Sequence, residues 1–190
     1  MGLLHYFLGL EVHQTEDGIF LLQRKYGRDL LNKFGMLNCK PAATPMIINE
    51  KLQQVNEEEL ADARRFRSLV GGLIYLTHTR PNIAFSVGAV SRFMQQPSKV
   101  HYGAAKRILR YIAGTLDYGI WYSNTNNFRL CGYTDSDYES SLDDRRSVSA
   151  NVFTLGSGAV TWRSKKQATT TLSASEAEYI AATSTACQAV

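Results

Sequence analysis

Two prolines, Pro81 and Pro97, most constrain what this chain can fold into. Both fall in one long apolar segment of helical periodicity, and neither fits a helix interior. Before Pro81, the residues Phe66, Leu69, Val70, Leu73, Ile74 and Leu76 recur at helical spacing, and Asn56 with Glu59 has the form of a capping box. A helix is therefore predicted from Asn56 to just before Pro81. Pro81 suits the first turn of a second helix through Ile83, Val87 and Phe93, which stops before Pro97. Ser98 can cap a third, ending near Gly114. Short connections make these three an antiparallel bundle.

Both flanks read differently. His5 to His13 alternates, Asp17-Gly18 is a turn signal, and Ile19 to Leu22 is apolar, which together predict a β-hairpin. Tyr26, Leu30, Leu31 and Phe34 then follow helical spacing, with Gly35 as C-cap. Pro41 to Pro45 reads as a linker, and Met46 to Val55 has no clear period. After the polar run Asn124–Asn127, a boundary signal, strands are predicted at Leu130–Thr134, Arg146–Leu155 and Ala159–Trp162. Gly156-Ser157-Gly158 supplies a tight turn, Arg163–Gln167 a basic loop, and a helix starts near Ser173. The fold class is α+β: an N-terminal β-hairpin and helix, an antiparallel helical bundle, then an α/β unit of three strands and a helix. The expected divisions are 1–45, 46–123 and 128–190.

Charge separates these parts more sharply than composition does. Between Ala63 and Leu116 stand nine basic residues and no Asp or Glu, whereas six basic face seven acidic residues from Phe128 onward. A one-sign stretch of this kind points to an anionic partner such as a nucleic-acid backbone. Its candidate contacts are Arg64, Arg67, Arg80, Arg92, Lys106, Arg107 and Arg110. Gly71 and Gly72, inside the first bundle helix, allow either close helix packing or close approach of such a backbone. Three scattered cysteines, with no CxxC pair, argue against a zinc site or disulfide framework and for a reducing, intracellular setting, cytoplasmic or nuclear. No signal peptide or membrane span is expected.

Chemistry rests on carboxylates. Asp135 follows an apolar strand, with Asp137 two residues on in the predicted loop. Asp143, Asp144, Arg145 and Arg146 form a mixed-charge loop, read as solvated. On the last helix, Ser173 and Glu176 fit a capping box, which gives Glu176 a structural task. Glu178, about 200° further round the helix, has none and is the better metal-ligand candidate. A strand carboxylate facing a helix carboxylate is half of a divalent-metal site for phosphodiester chemistry. No Ser/His/Asp set, P-loop, GxSxG or HExxH occurs.

The stretches LLHYFLGLEVH, SLVGGLIYLTHTRPNIAFSVGAVSRFM, HYGAAKRILRYIAGT, GYTDSDYESSLDDRRSVS and AVTWRSKKQATTTLSASEAEYIAA, in this order, resemble copia-type retrotransposon Pol polyproteins. The resemblance implies a reverse transcriptase primer-grip hairpin at His5–Leu22 and a thumb and connection region over Asn56–Gly114. It also implies the first half of an RNase H domain from Leu130. It matches Asp135 and Glu178 to catalytic, Mg²⁺-binding carboxylates, with an RNA–DNA hybrid or template–primer duplex and the rest of the polyprotein as partners. The parent would copy RNA into DNA and hydrolyse the RNA of hybrids. The polymerase Tyr-x-Asp-Asp signature is absent, and the remaining RNase H carboxylates are expected beyond Val190. This chain is thus expected to be a fragment that binds Mg²⁺ weakly and does not catalyse. The alternative is a non-catalytic nucleic-acid-binding module.

Overall fold

The computed structural model describes residues 3–48, 50–54, 59–125 and 128–190. The chain forms two compact units: Met1–Glu50 with Val55–Asn124, and Lys51–Gln54 with Thr125–Val190. The α+β class holds, with five α-helices and two antiparallel sheets among the described residues.

The first unit opens on β1 (Tyr6–Phe7), β2 (Leu10–Thr15) and β3 (Gly18–Leu22). The predicted single strand His5–His13 is broken at Leu8-Gly9, where both residues have positive φ, 48° and 79°. Gly9 is required there, because a Cβ would collide with the Tyr75 hydroxyl, and that hydroxyl donates to the Leu8 carbonyl at 2.8 Å. α1 (Arg24–Lys33) follows, burying Gly27, Leu30 and Leu31. It ends in a Schellman arrangement: Gly35, at φ 67°, donates to Asn32 at 3.0 Å, and Met36 donates to Leu31 at 2.8 Å.

α2 (Ala63–Leu76) starts later than the periodicity suggests. Asn56 lies outside the described residues. The N-cap is Asp62, whose carboxylate accepts from the Arg64 and Arg65 amides at 2.9 and 3.0 Å. Glu59 to Ala61 runs extended instead, because Ala61 donates to Pro97 and Lys99 to Glu59 across a bridge between Leu60 and Ser98. Pro81 begins a 3-10 turn, Pro81–Ile83, that leads into α3 (Ala84–Ser91). α4 (Lys99–Ala113) is capped by Ser98, which exchanges hydrogen bonds with the buried His101, itself stacked on Phe93 at 3.8 Å. Phe66, Leu69, Val70, Leu73, Ile83, Ile108, Leu109 and Ile112 form the core at 1% exposure or less. After α4 comes a strand the sequence reading does not pick out. β4 (Gly119–Ser123) pairs antiparallel with β3 and completes the sheet order β1-β2-β3-β4.

Gly72 is explained by close helix packing. A Cβ there would lie 2.5 Å from Leu30 Cδ1, whereas one on the exposed Gly71 would meet nothing within 4 Å.

In the second unit, β5 (Leu130–Asp137), β6 (Val148–Leu155) and β7 (Gly158–Lys166) form a sheet in that order, followed by α5 (Ala174–Ala189). Two strands run further than predicted. Asp135 is not at a strand end, since Asp137 still pairs with Val148, and Arg163 to Lys166 are strand rather than loop. Their consecutive polar residues are tolerated because neither face of these strand segments is buried. Phe153 fills the space over Gly132, whose absent Cβ would lie 2.7 Å from its ring. The buried Gln167 ties the layers together, its Nε2 donating to Ser149 Oγ and to the Ala177 carbonyl of α5, both at 2.9 Å.

The mixed-charge loop is not simply solvated. Asp144 pairs with Lys166 at 2.7 Å and Arg146 at 3.5 Å. Asp143 accepts from the Gln54 amide at 2.9 Å, and Lys51 donates to the Glu139 carbonyl, so residues 51–54 belong to this unit. Burial alone would raise the pKa of Asp144. Hydrogen bonds from Lys166, Ser141 and the Arg146 amide outweigh it, and the carboxyl sits at about 2.

Two predictions follow from this packing. Gly72→Ala should destabilise the first unit by about 1–3 kcal/mol, as overpacking does. Gly71→Ala should stabilise it by roughly 0.5–1 kcal/mol, the helix preference of Ala over Gly. Urea titrations compare the two. The lowered pKa of Asp144 means that the unfolded chain takes up its proton first as pH falls. Its contribution is present above pH 3.8 and lost as pH falls through about 2. Unfolding midpoints measured down that range should fall for the native chain and lose that part of their slope in Asp144→Asn.

Candidate nucleic-acid interface and carboxylate pair

The seven basic candidates of the first unit divide by what each guanidinium or ammonium touches. Arg64, on the first turn of α2, is exposed, and among the described residues only its backbone amide is used, by Asp62. Lys106 projects from α4 over the Tyr102 ring at 5.1 Å and is also exposed. Arg67 is exposed but donates to the Met94 carbonyl at 3.2 Å, just past the end of α3. Arg92 is half-buried and engaged within the protein.

Three of the candidates are held inward by the fold. Arg80 is 4% exposed. Its guanidinium donates to the Thr115 carbonyl at 2.8 Å, to Thr115 Oγ1 at 2.7 Å and to Asn82 Oδ1 at 3.2 Å. It also lies over the rings of Tyr111 and Tyr118 at 5.7 and 5.4 Å. Burial pushes its pKa down, against the opposing pull of the tyrosines. It is an internal strut. Arg110 Nε donates to the Lys40 carbonyl at 2.8 Å, and Arg107 donates to Thr44 Oγ1 at 3.0 Å. Both are half-buried and pin the proline-containing linker along α4.

Arg24, Lys25 and Arg28, on the first turns of α1, lie outside the acid-free stretch and so escape a charge count made there. They line a cleft of about 520 Å³ with Glu11, Leu37, Asn38 and Leu116. All three are exposed on the first turns of α1, whose buried residues Leu30 and Leu31 come later in the helix.

In the second unit, Ser173 Oγ accepts from the Glu176 amide at 3.1 Å, and the Glu176 carboxylate reaches back to the Leu172 amide at 2.7 Å. Glu176 is a cap. Glu178 is exposed and lies seven residues before Thr185, so the two share one stripe of α5 about 10 Å long. Thr185 donates to Thr134 Oγ1 at 2.9 Å, which docks this stripe on β5. Strand alternation places Thr134 towards α5 and the exposed Asp135 on the opposite face with Asp137. Asp135 thus lies on the face of the sheet away from α5, the helix that carries Glu178, and no described strand pairs with the outer edge of β5. No group of three or more His, Cys, Asp or Glu that could hold a metal ion occurs among the described residues. Asp135 and Glu178 are two carboxylates that no third His, Cys, Asp or Glu joins among the described residues.

No helix of the described residues is long and apolar enough to cross a membrane. No family model and no solved structure matches the chain. It is 42% identical over 176 residues to a retrovirus-related Pol polyprotein from transposon RE2 of Arabidopsis thaliana, covering 93% of this chain and 12% of that protein. It is 38% identical over 194 residues to the corresponding polyprotein from transposon TNT 1-94 of Nicotiana tabacum, covering 97% and 14%. It is also 36% identical over 188 residues to an uncharacterized mitochondrial protein of Arabidopsis thaliana, covering 99% and 78%. The chain therefore spans about one eighth of the length of the Pol polyproteins it matches. It belongs to the family of copia-type retrotransposon Pol polyproteins.

Proposed function

We propose that this chain is the part of a copia-type Pol polyprotein that grips a template–primer or RNA–DNA duplex. In the polyprotein it would also contribute Asp135 and Glu178 to an RNase H centre. The observation that carries the reading is the exposed cation pair of the first unit, Arg64 and Lys106, in a stretch from Ala63 to Leu116 without one acidic residue. Such cations neutralise phosphates and release counterions. The partner is then any duplex backbone, and selection of RNA over DNA would need contacts to 2′-hydroxyls.

Catalysis is a separate matter from grip. Two carboxylates on different sides of one strand bind Mg²⁺ weakly at best, because a hydrolytic centre clamps attacking and leaving oxygens between closely spaced ions. The chain by itself is thus a binding module, and the RNase H activity belongs to the larger protein.

Two experiments test this. Affinity for an RNA–DNA hybrid, measured across a salt series, should fall as salt rises, and Arg64→Gln or Lys106→Gln should each lower the slope by roughly 0.9. A flat response to salt would remove phosphate contacts as the basis of binding. In the second, hybrid incubated with the chain and Mg²⁺ should stay intact. Cleavage that disappears in both Asp135→Asn and Glu178→Gln would show that the pair assembles a working centre unaided.

A further inference from the structure

The cleft on α1 holds more positive charge than its surroundings compensate. Its lining carries three cations, Arg24, Lys25 and Arg28, against one carboxylate, Glu11. That carboxylate is turned onto the Lys25 backbone amide at 2.7 Å. Arg24 is taken by Asp117 at 3.0 Å. Among the described residues, neither the Lys25 ammonium nor the Arg28 guanidinium has a hydrogen bond or ion pair, and both are exposed. The Asn38 amide and the apolar Leu37 and Leu116 complete the wall. At about 520 Å³ the space exceeds what side-chain packing leaves by accident and falls in the range of ligand sites.

We propose that this cleft binds a phosphate group, held by Lys25 as a point charge and by Arg28 through its planar fork, with Asn38 donating beside them. The chemistry favours an anion, since two cations without a partner among the described residues face one space beside a single carboxylate. It requires a small, multiply accepting anion, because an ammonium and a guanidinium offer only donors. Phosphate fits both demands. It can come from a nucleic-acid backbone, in which case the inference deepens the duplex-binding reading and rests on it, or from a free phosphate compound.

The test uses the full chain, the neutral double variant Lys25→Gln/Arg28→Gln and the charge-keeping double variant Lys25→Arg/Arg28→Lys. Neither change touches the buried Gly27, Leu30 or Leu31, and the charge-keeping variant controls for folding. Inorganic pyrophosphate is titrated against thermal unfolding, and an RNA–DNA hybrid is bound across a salt series. With a backbone phosphate in the cleft, the neutral variant loses roughly 1–2 from the salt slope and the charge-keeping variant retains it. With a free phosphate compound, the hybrid slope is unchanged, but pyrophosphate raises the Tm of the native chain and not of the neutral variant. If neither readout separates the neutral variant from the native chain, the cleft is not a phosphate site. A native chain that binds no hybrid sinks the duplex-binding reading alone, and the pyrophosphate titration still decides the cleft.

Discussion

A buried guanidinium without a carboxylate partner is an expensive thing to build a domain around, and the first unit does so with Arg80. Desolvating a cation costs several kcal/mol, which is repaid only when its donors are well satisfied. Here three oxygens from Thr115 and Asn82 and two tyrosine faces do that work, and no described acidic group pairs with it. The arrangement links the end of α2, the Pro81 turn and the segment that leaves α4. That segment runs directly into β4, so the position of Thr115 fixes where Gly119 meets Leu22 on β3. Gly119 is needed at this junction because a Cβ would strike the Leu21 carbonyl. Next door, the buried Thr79 hydroxyl donates to Gln23 Oε1 at 2.8 Å while Gln23 Nε2 donates to the Tyr75 carbonyl, which brings the start of α1 into the same network.

What the sequence makes legible in this fold is whatever has a local cause. Pro81 starts a turn, Ser98 caps α4, Gly35 ends α1 and Ser173 caps α5 because each acts within four residues of itself. The features that escape depend on distant partners. β4 is a strand because β3 offers its edge across about a hundred residues of chain, and Asp62 rather than Asn56 caps α2 because Glu59 to Ala61 is held by Pro97 and Lys99. The full lengths of β5 and β7 escape for another reason. Asp135, Ser136, Asp137 and the basic run after Trp162 look like loop by composition, yet a sheet end wetted on both faces accepts polar residues at successive positions.

The carboxylates show the same division. Helix phase separates Glu176 from Glu178, and the structure keeps them apart in function: one closes the helix start, the other lies along the stripe that Thr185 docks on β5. Strand phase was equally available for Asp135 and Asp137, which share a face. What phase cannot supply is which face α5 covers. Gly132, with Phe153 against it, and Thr134 settle that, and they leave Asp135 on the other side. A group held by both Asp135 and Glu178 would have to sit at the open rim of β5, where the two sides meet.

Counting arginines overstates the grip on a polyanion when some of them are structural. An acid-free stretch has no carboxylates to satisfy its own helix ends and linkers, but it is full of unsatisfied carbonyls, and a guanidinium is the natural donor for these. Arg67 serves Met94, Arg80 serves Thr115 and Arg110 serves Lys40, so the same composition that suggests a nucleic-acid surface consumes part of it internally. The cations left for an external phosphate are those whose neighbours have nothing to accept with. On α2 and α4 these are Arg64, Arg65 and Lys106, and on α1 they are Lys25 and Arg28, where Glu11 accepts from a backbone amide and Asp117 pairs with Arg24. Net charge therefore overcounts the cations this fold leaves exposed, because carbonyls without a helix partner take up some of its guanidinium groups.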